Sequence, residues 1–169
     1  ISSVHEIILV VPPEWLSKVR PSKITKVVSG GERRQDSVWN GLQETSPQSE
    51  VVLVHDAARP FISRKLILAT AKAAQRYGAA LPILPVTDTL KLVERGSVRE
   101  TLPRERIGAA QTPQGFRRDL LLEAYRRCGG VDVTDDVQLV ERMGGKVRIV
   151  QGDPRNFKLT TPEDFRRAE

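Results

Sequence analysis

Short runs of branched apolar residues recur along the chain, each bounded by proline, glycine or charge: Ile7-Ile8-Leu9-Val10-Val11, Ile24 to Val28, Val51-Val52-Leu53-Val54 and Val147 to Val150. Runs this short and this continuous predict strands buried on both faces, as in a parallel sheet. Between them the spacing changes to that of helices. Asp36 to Glu44 carries Val38 and Leu42 four apart, Ser63 to Tyr77 repeats Leu66, Ala69/Thr70 and Ala73, and Arg117 to Arg127 offers Leu120, Leu121 and Ala124. Strand and helix alternate, which predicts an α/β domain: a Rossmann-like open, mostly parallel sheet with flanking helices and with ligands gathered at the carboxyl ends of the strands.

One stretch breaks the rhythm. Thr89 to Glu94 and Val98 to Leu102 are β-prone runs around Arg95-Gly96-Ser97, a hairpin with a three-residue turn, set in a projecting arm spanning residues 86–107. With 169 residues, 39% of them hydrophobic, the chain can bury one core, and a single domain over 1–169 is expected. It opens at Ile1 without methionine and runs almost at once into a strand, which predicts that an N-terminal segment is missing.

Charge narrows the chemistry. A net charge of +6 and a pI near 9.8 favour anionic ligands. The basic residues are scattered rather than gathered into one tract, and 5% aromatic content leaves few rings for stacking bases, so polymeric nucleic acid is the weaker reading. Cys128 is the only cysteine, which excludes an intrachain disulfide framework and a multi-cysteine metal site and fits a reducing cytoplasm. No apolar run approaches the roughly 20 residues of a membrane-spanning helix.

Four loops hold the candidate chemistry. Ser29-Gly30-Gly31-Glu32-Arg33-Arg34-Gln35-Asp36-Ser37 follows a strand and opens a helix, so its glycine N–H groups, helix start and Arg34 can cradle an anion. A plain strand-to-helix turn with Asp36 or Ser37 as N-cap is equally open. His55-Asp56-Ala57-Ala58-Arg59-Pro60-Phe61 can face a nucleotide with Asp56 and Arg59, or simply hold a local Asp56–Arg59 ion pair. His55 reads as structural, since no Ser or Cys nucleophile has a claim on it. Gly108 to Gln114, preceded by Arg104 and Arg106, offers Gln111 and Thr112 to a polyol or phosphate, or is an ordinary polar turn. In Asn156 to Asp164, Thr161 as N-cap, Pro162 at N1 and Asp164 at N3 start a helix and leave Lys158 unexplained, at a strand end where an ammonium can contact phosphate. Thr134-Asp135-Asp136 before Val137 to Arg142 reads as an acidic helix N-terminus rather than a metal site, and no zinc pattern occurs.

Taken together these segments resemble the 2-C-methyl-D-erythritol 4-phosphate cytidylyltransferases of the non-mevalonate isoprenoid pathway. The matching stretches are Val28 through Val38 with Asn40-Gly41-Leu42, Val54 through Phe61, Pro85 through Lys91, Gln111 through Gln114, Thr134 through Asp136 and Asn156 through Asp164, in family order, with His-Asp-Ala-Ala-Arg-Pro-Phe the most specific. The resemblance implies transfer of CMP from CTP, with Mg²⁺, to methylerythritol phosphate. It implies CTP contacts at Gly30, Gly31, Arg34, Ser37, Asp56 and Ala57, and acceptor contacts at Asp56, Arg59, Thr89, Arg104, Thr112 and Lys158. Arg104 and Lys158 are the implied catalytic groups that position the acceptor phosphate, and no protein-held metal site is implied. It further implies a homodimer in which each hairpin arm places Thr89 and Arg104 in the partner's site. The family's N-terminal Gly-rich loop with its Arg, and a later Pro-Lys pair, have no counterpart here, so the chain alone is expected to be inactive. A ribitol 5-phosphate cytidylyltransferase and a nucleotide-binding pseudoenzyme are the alternatives.

Overall fold

The computed structural model describes residues 4–19 and 26–169. Branched apolar runs form the expected strands: β1 (Ile8–Val11) pairs in parallel with β2 (Lys26–Ser29), Ile8 opposite Lys26 and Val11 opposite Ser29. Ile24 and Thr25, the start of the second expected strand, lie outside the described residues. The helix α1 (Arg34–Gln43) follows and packs closely on β1, because a Cβ on Gly41 would lie 2.8 Å from Val10 Cγ2. Its start differs from expectation. Arg33 is the N-cap residue and Asp36 sits at the third helical position, where its carboxylate accepts the Arg33 N–H at 3.1 Å.

After β3 (Val51–Val54) comes α2 (Arg64–Tyr77), started by Ser63, whose hydroxyl accepts the Leu66 N–H, and stopped at Gly78, whose φ of 91° suits glycine. The chain then enters β4 (Ala79–Pro85), a strand that the sequence pattern does not predict. Two prolines hide it, since proline argues against a central strand. Here Pro82 lies opposite Val150, and its carbonyl accepts the Gln111 N–H at 2.8 Å.

The hairpin expected next is present as β5 (Lys91–Glu94) and β6 (Ser97–Thr101), with a bulge at Leu92/Val93. Its turn has two residues rather than three, Arg95 and Gly96, both at positive φ, as a tightly twisted hairpin requires. The cross-strand pair Val93 and Val98 is 61% and 63% exposed.

From the hairpin the chain returns through β7 (Gly108–Ala110) and β8 (Gln114–Arg117) into α3 (Arg118–Cys128) and α4 (Val137–Arg142). It ends with β9 (Arg148–Gln151) and α5 (Pro162–Ala168). The larger sheet runs β3-β8-β4-β7, with β9 on β4. The strands β3, β4 and β9 share a direction, whereas β7 and β8 oppose them. The α/β class is as expected, but the sheet is mixed instead of mostly parallel. The physical reason is the route: a chain leaving the carboxyl end of β4 and returning without a crossover helix must pair antiparallel.

Phe116, Leu121, Leu139 and Val140 are fully buried where α3 and α4 cover the sheet, with Leu42 of α1 and Val52 and Val54 of β3 in the same cluster. The strand β8 passes α2 with almost no clearance. A Cβ on Gly115 would meet Thr70 Cγ2 at 2.9 Å, Ala74 Cβ at 3.0 Å and Leu53 Cδ2 at 3.1 Å. We therefore expect Gly115→Ala to destabilise the protein by about 1–3 kcal/mol in urea unfolding with little change in m-value, and Gly115→Val by more. A wild-type midpoint for both would show that this seam has slack.

Candidate functional site

The three loops that follow β2, β3 and β9 converge on Asp56, a half-buried carboxylate just past the carboxyl end of β3. Its Oδ2 lies 3.0 Å from Lys158 Nζ and its Oδ1 lies 3.5 Å from Arg34 Nε. The Arg34 guanidinium, at the first position of α1, spans two carboxylates, since its Nη1 lies 2.9 Å from Oδ2 of the fully buried Asp136. A line of alternating charge thus runs from Asp136 through Arg34 and Asp56 to Lys158. Burial pushes the Asp56 carboxyl up, but the hydrogen bond from Lys158 and the charges of Arg34, Lys158 and Arg59 outweigh it and hold it below the ordinary carboxylate range. For Arg34, burial disfavours the cation and the adjacent Asp136 more than restores it.

Backbone clasps hold the loops in this arrangement. Leu159 N–H donates to Ala58 O at 2.8 Å, and Arg59 Nη1 donates to Asn156 O at 2.8 Å. The buried Asn156 donates from Nδ2 to Thr112 O at 2.7 Å, while Gln111 Nε2 donates to the Asp153 and Asn156 carbonyls. The local Asp56–Arg59 ion pair does not form. Arg59 turns toward the Asn156 loop, and its backbone N–H closes a turn on Asp56 O.

His55 is the structural imidazole expected. Asp56 N–H donates to Thr112 Oγ1 at 3.0 Å, so the Thr112 hydroxyl proton is available to His55 Nδ1, also 3.0 Å away. The other ring nitrogen, Nε2, lies 3.0 Å from Arg59 O, which only accepts. All three contacts are satisfied by a neutral ring protonated on Nε2.

The remaining expected residues separate into two groups. Gly30 and Gly31 lie in the β2–α1 turn beside Ser37, but their N–H groups are committed: Gly30 N–H donates to Val11 O at 2.7 Å and Gly31 N–H to Ser37 Oγ at 3.0 Å. The cation presented from this turn to the Asp56 site is therefore Arg34. Ala57 is exposed beside Asp56. Thr89 and Arg104 are not brought into this cluster; both are exposed at the hairpin base, where Arg104 Nη1 donates to Thr87 O at 2.5 Å. Asp136 was missed as a site residue. Read as part of an acidic helix start, it leaves that task to Asp135, whose Oδ1 accepts the Gln138 N–H, and to Gln114 Oε1, which accepts the Asp136 and Val137 N–H groups.

Comparison with known proteins gives the family of the chain. The family model for 2-C-methyl-D-erythritol 4-phosphate cytidylyltransferase matches residues 1–169. The enzyme of that name from Bacillus cereus is 48% identical over 158 residues, covering 92% of this chain and 70% of the relative. That from Geobacillus kaustophilus is 44% identical over 172 residues, covering 96% and 75%. The crystal structure of 2-C-methyl-D-erythritol 4-phosphate cytidylyltransferase from Thermus thermophilus superposes with a TM-score of 0.87 at 41% identity, over 99% of this chain and 82% of that one. The matched family, with the α/β fold it shares, makes the chain a nucleotidyltransferase. The chain belongs to the 2-C-methyl-D-erythritol 4-phosphate cytidylyltransferase family.

Burial holds the His55 imidazole below its ordinary value of 6.5. The unfolded chain therefore binds this proton more readily, and the stability contributed by neutral His55 is complete above that value and lost as pH falls below it. Urea denaturation should show wild type losing stability between about pH 7.5 and 5.5, and His55→Gln losing distinctly less over the same interval. Equal losses would mean that the proton uptake belongs to another group.

Proposed function

We propose that the protein transfers CMP from CTP to 2-C-methyl-D-erythritol 4-phosphate, giving 4-diphosphocytidyl-2-C-methyl-D-erythritol and pyrophosphate. The observation that carries this reading is the Asp56 carboxylate held between Arg34 and Lys158, in a chain whose family is defined by that acceptor. In the reaction a phosphate oxygen of the acceptor bonds to the α-phosphorus of CTP, and the bond from that phosphorus to the bridging oxygen breaks as pyrophosphate leaves. The nucleophile is already largely ionised near pH 7, since the second pKa of a phosphate monoester is about 6, so no strong base is needed. What the protein supplies is juxtaposition of two anions and dispersal of the charge between them.

In our assignment Arg34, with Gly30, Gly31, Ser37 and Ala57 around it, faces CTP, and Lys158 with Arg59 faces the acceptor, while Thr112, buried and bonded to Asp56 N–H and His55, supports that side from within rather than as the direct contact expected. Asp56 stands between them and orients both cations. Thr89 and Arg104 belong to the acceptor side of a partner subunit's site, in a homodimer joined through the hairpin arm. The solvent-facing Val93/Val98 pair supports such a joint, because a two-stranded ribbon with an apolar face is marginal by itself. Sedimentation of the full-length protein at micromolar concentration should give a dimer, and a monomer would remove the trans role of Arg104.

Magnesium enters the proposal as an ion carried by the CTP phosphates. That both Asp56 oxygens face cations supports an ion held by the phosphates rather than by this carboxylate. A cytoplasmic location is proposed on the free thiol of Cys128, the chain's sole cysteine.

Lys158→Ala separates a functional from a structural lysine. The α5 start does not depend on it, since Thr161 Oγ1 accepts the Asp164 N–H and Asp164 Oδ2 accepts the Thr161 N–H. We expect a melt that stays cooperative but shifts down, since Asp56 loses one of its two cations, while turnover on methylerythritol phosphate, measured well below that melt, falls roughly 30- to 1000-fold, equivalent to about 2–4 kcal/mol, with only partial rescue by Lys158→Arg. Near-normal kcat/KM, or a loss that merely follows unfolding, would make Lys158 structural. Calorimetry on the full-length protein should also show CTP bound in preference to ATP.

A further inference from the structure

Asp136 is a buried anion whose place in the fold is not explained by helix capping. Its backbone has helical angles, and the orphan N–H groups at the α4 start are met by Gln114 and Asp135. Its carboxylate turns inward and is fully buried, with Oδ1 accepting the Tyr125 hydroxyl at 2.6 Å and Oδ2 set 2.9 Å from Arg34 Nη1. Removing a carboxylate from water costs several kcal/mol, and an apolar side chain of similar volume commonly serves stability as well or better. A charge kept at such a point has a geometric use when it fixes a group that does work.

Arg34 is that group. It lies across the chain from Asp136, carries no capping duty, and reaches outward from Asp136 to Asp56 at the mouth of the site. A long flexible side chain exposed on its own would sample many rotamers. Drawn at one end of its guanidinium by the charge of a buried carboxylate 2.9 Å away, it samples fewer of them, and less entropy is lost when an anion arrives. Tyr125 fixes the anchor in turn: its hydroxyl is a committed donor, because burial and the neighbouring Asp136 charge push its ionisation far above the ordinary tyrosine value. The Tyr125 ring also stacks on Trp39 of α1, with centroids 5.4 Å apart, so the phenol is rigidly seated against the helix that carries Arg34.

We infer that Asp136, seated by Tyr125, is a positioning residue that presets the Arg34 guanidinium for the nucleotide. The inference rests on the CTP reading above. It commits Asp136 to nucleotide affinity, at a distance from the ligand, and leaves the start of α4 to Asp135 and Gln114.

The test is a double-mutant cycle in the full-length protein, with CMP transfer read as kcat and as KM for each substrate. Asp136→Asn keeps the shape and an acceptor for Tyr125 but removes the charge that holds Arg34. We expect KM for CTP to rise roughly tenfold, KM for the acceptor to stay within about twofold, and the effect to vanish in an Arg34→Gln background, since a residue acting through another adds nothing once that other is gone. A thermal melt accompanies each variant. An unchanged KM for CTP, or losses that multiply with those of Arg34→Gln, would overturn the inference. If Asp136→Asn does not fold, Tyr125→Phe is judged by the same criteria, with a several-fold rise in KM for CTP expected only when Arg34 is present. Wild-type protein that transfers no CMP would instead sink the functional reading itself, which the control lane reports separately.

Discussion

The placement of Asp56 between two cations is the constraint on which the rest of the site depends. A carboxylate this far inside the surface is stable as an anion only because Lys158 and Arg34 approach it from opposite sides, and they come from remote parts of the chain. Their meeting requires α1 to begin where β2 ends, β3 to deliver Asp56 at its carboxyl end, and the segment after β9 to fold back along the Asp56 loop. Each requirement is met by backbone: Gly41 lets α1 lie close on β1, and the Leu159–Ala58 hydrogen bond lays the Lys158 segment against the Asp56 loop.

Such an arrangement is rigid where it must be and polar where it can act. Asn156, Gln111 and Thr112 carry no charge, yet they tie three loops together through carbonyl and amide groups that burial would otherwise leave unpaired. The neutral His55 belongs to the same set. Under the proposed assignment this frame lets Arg34, Asp56 and Lys158 meet two anionic substrates with little reorganisation, which is the form of assistance that transfer between phosphates calls for.

Sequence made some of this legible and hid the rest for identifiable reasons. The strands at Val51–Val54 and Arg148–Gln151 and the capped start of α5 were readable because local signals decide them: continuous branched residues in the first case, Thr161-Pro162 with Asp164 in the second. The strand β4 was hidden by its prolines, and β8 by a Gln-Gly-Phe-Arg run with neither alternation nor branching, although Gly115 is what lets it slip past α2. The mixed direction of the sheet follows from a return path that no local pattern records. Among site residues, Asp56, Arg34 and Lys158 stood out as charges in loops after strands. Asp136 did not, because an aspartate at a helix start has a sufficient local explanation and its true partner lies far upstream. The hairpin turn was misjudged by one residue because arginine is a rare occupant of positive φ.

The central claim is that one carboxylate orders both halves of the site, and Asp56→Asn tests it most directly. In the full-length protein the substitution keeps the side-chain shape while removing the charge that Arg34 and Lys158 share. Steady-state kinetics should then show KM for CTP and KM for methylerythritol phosphate rising together, each by roughly tenfold or more, with a lower kcat. A rise confined to one substrate, with the other unchanged, would contradict the account and reduce Asp56 to a contact on a single side.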